Sequence, residues 1–138
     1  MADKDNKITI LIVDDEIVSR YTMEALLESE AHTLVFAENG IQGLEKAELM
    51  KPDLILLDVM MPGMNGFEVC RRLRANPRLA NLPVVMVTAW DDPTARLRCL
   101  EIGATEVICK PFNKADLYKL VLSFTQAGKN DHGTLSSS

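Results

Sequence analysis

The sequence predicts a doubly wound α/β sandwich, a parallel sheet covered on both faces by helices. Three observations point there. Short apolar runs alternate with longer helix-period segments five times along the 138 residues. Most of these runs are apolar at consecutive positions, the pattern of strands buried on both faces. A chain that repeats strand then helix must connect its strands by crossovers, and those connections are right-handed.

The apolar runs are Ile8–Val13, Leu34–Ala37, Leu54–Leu57, Val84–Val87 and Val107–Cys109. The spacing between them predicts helices near Val18–Ser29, Ile41–Met50, Phe67–Arg74, Thr94–Ile102 and Lys114–Phe124. Leu97 with Leu100, and Leu117, Leu120, Val121 and Phe124, carry that spacing. Asp92-Pro93 offers a capping acid before a proline at the first helical position. Asn113 with Asp116 offers a cap and an acid in the first turn. Gly103 after Ile102 reads as a helix stop. The segment from Ala127 through Ser138, ending in three serines, reads as a flexible tail or the start of a linker. The expected division is therefore a domain over 1–126 and a tail over 127–138.

Composition narrows the function. Hydrophobic residues make up 47% and charged residues 25%, enough to build one core and too apolar for a disordered chain. A net charge of -5 argues against direct contact with nucleic acid or an anionic membrane. The charged start and the short apolar stretch after it fit neither a signal peptide nor a membrane span, so the expected location is cytoplasmic. Cys70, Cys99 and Cys109 are odd in number and lack CxxC spacing, and read as small core hydrophobes. The methionines Met23, Met50, Met60, Met61, Met64 and Met86 read as core or loop packing. His32 and His132 read as solvated surface residues, and Arg71, Arg72 and Arg74 as a solvated helix face.

Four strand-like runs stop at polar residues: Asp14-Asp15, Asp58, Thr88 and Lys110-Pro111. A charged or hydroxylic group beyond an apolar strand is costly to bury unless it is paired or lies at an edge. Four such endings suggest one polar pocket where the strands stop. Each has a plainer reading: Asp14-Asp15 as a helix cap, Asp58 as the start of a turn before Pro62-Gly63, Thr88 and Lys110 as ordinary strand ends. Together, an acid pair, a lone Asp, a Thr and a Lys are what metal-assisted phosphorylation of a carboxylate needs.

These residues, with Met61-Pro62-Gly63, Thr88-Ala89 and Lys110-Pro111-Phe112 in that order, resemble the receiver domain of two-component response regulators over about Ile8 to Phe124. The resemblance implies a flavodoxin-like fold with strand order 2-1-3-4-5 and a site at the strands' carboxyl ends. It implies that Asp58 is the phosphoacceptor. Mg2+, or Mn2+, would be held by Asp15, Asp58 and the Met60 carbonyl, with Asp14 acting through water. It implies that Lys110 pairs with Asp58 and the phosphoryl oxygens, that Thr88 bonds the phosphoryl group, and that Lys110-Pro111 is cis. The partners implied are a sensor histidine kinase or histidine phosphotransfer protein and a downstream protein or output domain. The chain is expected as a monomer or a weak phosphorylation-dependent dimer, a switch rather than an enzyme.

Three positions depart from the family pattern. Val107 stands where many receivers carry a Tyr or Phe that reports activation. Met60 and Trp90, two residues past Asp58 and Thr88, place apolar bulk beside the phosphoryl group. The alternatives are the N-terminal receiver part of a larger regulator and a haloacid-dehalogenase-like phosphatase. The latter calls for a DxD spacing, whereas Asp14 and Asp15 are adjacent.

Overall fold

Alternate residues along each strand feed opposite faces of one five-stranded parallel sheet, which is why the apolar runs are continuous. The computed structural model describes residues 7–89 and 93–129, with side chains described through residue 124. Trp90, Asp92 and His132 lie outside the described residues. The strands are β1 (Ile8–Val13), β2 (His32–Ala37), β3 (Leu54–Asp58), β4 (Val84–Thr88) and β5 (Glu106–Cys109). The helices are α1 (Ile17–Leu27), α2 (Gly40–Met50), α3 (Gly66–Ala75), α4 (Pro93–Ile102) and α5 (Lys114–Lys129). The sheet order is β2-β1-β3-β4-β5, as the resemblance implied.

One face carries Leu11, Val13, Ile55, Leu57, Val84 and Met86 against Ala47 of α2, Val69, Cys70 and Leu73 of α3, and Cys99 of α4. The other carries Ile8, Ile10, Ile12, Leu54, Leu56, Val85 and Val87 against Met23 and Leu27 of α1 and Leu117 and Val121 of α5. Each fully buried Leu or Ile contributes about 1.5–3 kcal/mol of transfer free energy, so these two layers supply most of the driving force. The two-sided core holds β3 in the centre, with β1 and β4 as its neighbours.

Helix starts follow their caps. Asn39, Asn65 and Asn113 each accept a hydrogen bond from the backbone N–H three residues on, at 2.9, 3.0 and 2.8 Å. Gly103 ends α4 at φ 121°, a conformation that favours glycine, as expected for a helix stop. The Lys110-Pro111 bond is cis.

Two surface expectations are corrected. His32 is buried, because its Nδ1 lies 2.7 Å from the Leu27 carbonyl at the end of α1 and its ring packs on Tyr118. Arg74 is not simply solvated: its guanidinium donates to the carbonyls of Gly103, Ala80 and Leu82 at 2.8, 3.0 and 2.7 Å, and to Thr105 Oγ1 at 3.2 Å. A planar fork of five donors suits three converging loop carbonyls, which outweighs solvation of the charge. Arg71 and Arg72 do stay exposed, sharing Glu68. Among the methionines, Met23, Met61 and Met86 are buried, whereas Met50 and Met60 are exposed.

Gly66 sets the distance between α3 and the end of β3. A Cβ there would lie 2.4 Å from the Asp58 carbonyl oxygen and 2.8 Å from the Val59 Cα, both backbone atoms that a rotamer change cannot move. The Gly66 N–H also donates to the Val59 carbonyl at 2.9 Å. Gly66→Ala is expected to lower stability by about 1–3 kcal/mol in urea unfolding, since backbone on both sides must shift. Unchanged stability would show that this approach is not tight.

Candidate functional site

Parallel strands bring all their carboxyl ends to one edge, and the strand order decides which polar residues meet there. Asp14 and Asp15 follow β1, Asp58 ends β3 and Thr88 ends β4, while Lys110 follows β5. With β3 central, Asp58 stands between the acid pair on one side and Thr88 on the other. The backbone holds these ends in register: the Val59 N–H donates to Val87 O at 3.0 Å, and the Lys110 N–H to Thr88 O at 2.8 Å. Thr88 is buried on the strand beside Asp58.

Carboxylate oxygens of Asp14, Asp15 and Asp58 all lie within 4.8 Å of one another. Asp14 is buried and committed to its surroundings. Its Oδ1 accepts from the Glu16 N–H at 3.0 Å, its Oδ2 accepts from the Ser19 hydroxyl, and its backbone carbonyl accepts from Arg20 at 2.7 Å. Neither acid of the pair caps α1, because the capping position is Glu16, whose side chain makes no cap bond. Asp58 Oδ1 accepts from the Met60 N–H at 3.3 Å, a local turn contact.

Burial and the neighbouring Asp14 charge push the Asp58 carboxyl up to about 6, with a smaller push from Asp15. The Lys110 ammonium and the Met60 N–H pull the other way. A carboxyl raised by burial and further by two neighbouring carboxylates favours its neutral form until positive charge is added. A hard divalent cation suits the oxygen donors and would supply that charge. Since Asp14 already holds two donors, Asp15 and Asp58 are the carboxylates better placed to ligate it.

The lysine's position differs from the expectation. Among the described residues no ion pair joins Lys110 to Asp58. Its Nζ lies 3.8 Å from Asp14 Oδ2 and 3.3 Å from Ser19 Oγ. Ser19 and Arg20 are site residues that the sequence reading missed. Their signal was faint: they lie five and six positions past Asp14, in the first turn of a helix whose start faces the strand ends.

The sequence model described as response regulator receiver domain matches residues 10–122. The response regulator PleD of Caulobacter vibrioides is 42% identical over 117 residues, 85% of this chain and 26% of PleD, so the chain spans about a quarter of that relative. The protein PilH of Pseudomonas aeruginosa is 38% identical over 112 residues, 81% of this chain and 93% of PilH. Among solved structures, the chemotaxis protein CheY4 of Vibrio cholerae superposes with a TM-score of 0.80 at 30% identity, covering 86% of this chain and 98% of CheY4. The receiver domain of the sensor histidine kinase PA1611 of Pseudomonas aeruginosa, with a magnesium ion coordinated in its active-site cleft, also has a TM-score of 0.80. It is 29% identical, with 87% of this chain and 98% of that domain covered.

The raised Asp58 carboxyl implies a definite pH dependence without metal. The unfolded chain releases this proton near 3.8 and the folded chain near 6. Between those values the folded state binds more protons, so stability falls as pH rises through the window and stays lowered above it. Asp58→Asn removes the charge. The variant is expected to exceed wild type by roughly 1–3 kcal/mol at pH 8 in chelator, with the difference fading toward pH 4. Urea unfolding at both pH values reads this, and a variant less stable than wild type at pH 8 would refute it.

Proposed function

The chain belongs to the response regulator receiver domain family, and from that membership we propose that Asp58 accepts a phosphoryl group and switches the domain between two sets of protein contacts. Members of this family are signalling domains of two-component systems rather than enzymes acting on a separate substrate. One observation carries the assignment to Asp58: three carboxylates converge at the carboxyl edge of the sheet, and Asp58 is the one that ends the central strand.

The chemistry follows from that arrangement. An Asp58 carboxylate oxygen attacks the phosphorus of a phosphohistidine on a sensor kinase or phosphotransfer protein. A P–O bond forms as the P–N bond breaks, and its electron pair returns to the imidazole nitrogen. Two anions meeting at Asp58 repel, and a bound Mg2+, or Mn2+, supplies the charge that offsets them. Asp15, Asp58 and the Met60 carbonyl would hold that ion, with Asp14 acting through water. The Lys110 ammonium would pair with a phosphoryl oxygen and the Thr88 hydroxyl would bond another. The two added charges then favour whichever conformation brings Thr88 and Lys110 to them, a population shift.

Readout through this fold does not use an aromatic side chain at position 107. Val107 is buried in the core under α4, and Arg96 bridges α4 to β5 through Glu106 at 2.7 Å and the Val107 carbonyl at 3.1 Å. The reading places the protein in the cytoplasm, acting through protein contacts. Among the described residues no helix is long and apolar enough to cross a membrane.

Intact-mass measurement after incubation with acetyl phosphate and Mg2+ tests the assignment. Wild type is expected to gain one phosphoryl group and Asp58→Asn none; full phosphorylation of the variant would remove Asp58 from the role. Met60 is half exposed beside Asp58 and offers an attacking water no strong hydrogen-bond partner. Met60→Asn is expected to speed loss of phosphate about two- to tenfold at constant Mg2+. Equal or slower first-order decay would show that this side chain does not limit access of water.

A further inference from the structure

The Lys110 ammonium is held by a chain of contacts that ends on Asp14 rather than on Asp58. Its Nζ donates to Ser19 Oγ at 3.3 Å, and the Ser19 hydroxyl in turn donates to Asp14 Oδ2. A hydroxyl has one proton to give and two lone pairs, so Ser19 serves both neighbours at once. The direct Lys110–Asp14 separation is longer, 3.8 Å, and Ser19 fills the gap. Ser19 itself is well placed, since the start of α1 is tied to Asp14 through the Glu16 N–H and the Arg20 guanidinium. Beside this chain lies a cavity of about 260 Å³ whose lining includes Ser19, Lys110 and Pro111, so the lysine is not packed in on that side.

We propose that Ser19 is a positioning residue that parks Lys110 on the Asp14 side of the site in the unphosphorylated protein, so that the lysine must leave this hydroxyl to reach a phosphoryl group on Asp58. The proposal rests on the reading of Asp58 above. An interaction present in one state and absent in the other shifts the equilibrium by its own worth, so the Ser19 contact opposes engagement of Lys110. Removing the hydroxyl favours the engaged position. Ser19→Thr keeps an equivalent hydroxyl and retains the parked one.

Beryllofluoride, which mimics a phosphoryl group on a carboxylate, titrated with Mg2+ into the full chain, provides the test. Ser19→Ala is expected to bind it about three- to tenfold more tightly than wild type, and Ser19→Thr like wild type. A second readout needs no metal. The Lys110 ammonium resonance is expected to be protected from solvent exchange in wild type and Ser19→Thr, and unprotected in Ser19→Ala. Equal or weaker binding by Ser19→Ala, or an unchanged ammonium resonance, overturns the role of Ser19 while leaving Asp58 as acceptor. Failure of wild type to bind beryllofluoride at all overturns both readings together.

Discussion

Three carboxylates are held within 4.8 Å of one another against their own repulsion, and the architecture of the carboxyl edge follows from that constraint. Hydrogen bonds from the Glu16 N–H and the Ser19 hydroxyl to Asp14, and from the Met60 N–H to Asp58, offset part of that repulsion. The rest of the free energy that enforces the arrangement comes from the two apolar layers that bury β1, β3 and β4 on both faces and leave their polar ends no other place. Burial raises the Asp58 carboxyl first, and the Asp14 charge adds to it, so part of that shift reports the stored repulsion. A site built this way is poised to respond to added positive charge, because a cation relieves repulsion that folding has already imposed.

Charge at this edge is distributed unequally. Asp14 is buried and engaged by a backbone N–H, a hydroxyl and, at longer range, an ammonium. Asp15 is only partly buried, and Asp58 carries the raised carboxyl. The same chemical group thus serves as scaffold in one position and as candidate ligand or nucleophile in another, with the difference set by what α1 brings to it. Gly66 does comparable work on the opposite side, letting α3 start against the backbone of Asp58 and Val59.

Away from the site, arginines act as mortar between elements. Arg74 gathers the carbonyls of Ala80, Leu82 and Gly103, and Arg96 ties α4 to β5. With Val107 buried and no aromatic ring at that position, any coupling from Thr88 toward α4 would run through backbone and packing. Leu97 and Leu100 on α4, like Leu122 on α5, leave apolar side chains exposed on this side of the fold.

Much of this molecule was legible in its sequence, for physical reasons. Strands buried on both faces must read as continuous apolar runs, and so the five strands, their parallel arrangement and the polar residues at their ends were visible before any coordinates. Asn113 and Gly103 could be read as helix boundaries because capping and positive φ restrict residue type locally. What involved contacts distant along the chain was not legible. His32 looked like a surface residue until α1 laid its last carbonyl on the ring, and Arg74 looked solvated until the carbonyls of two loops turned toward it. Ser19 and Lys110, 91 residues apart, meet only because α1 and the end of β5 close over the same edge. Side-chain periodicity encodes which face a residue occupies; which partner waits on that face is decided by the packing of the whole chain.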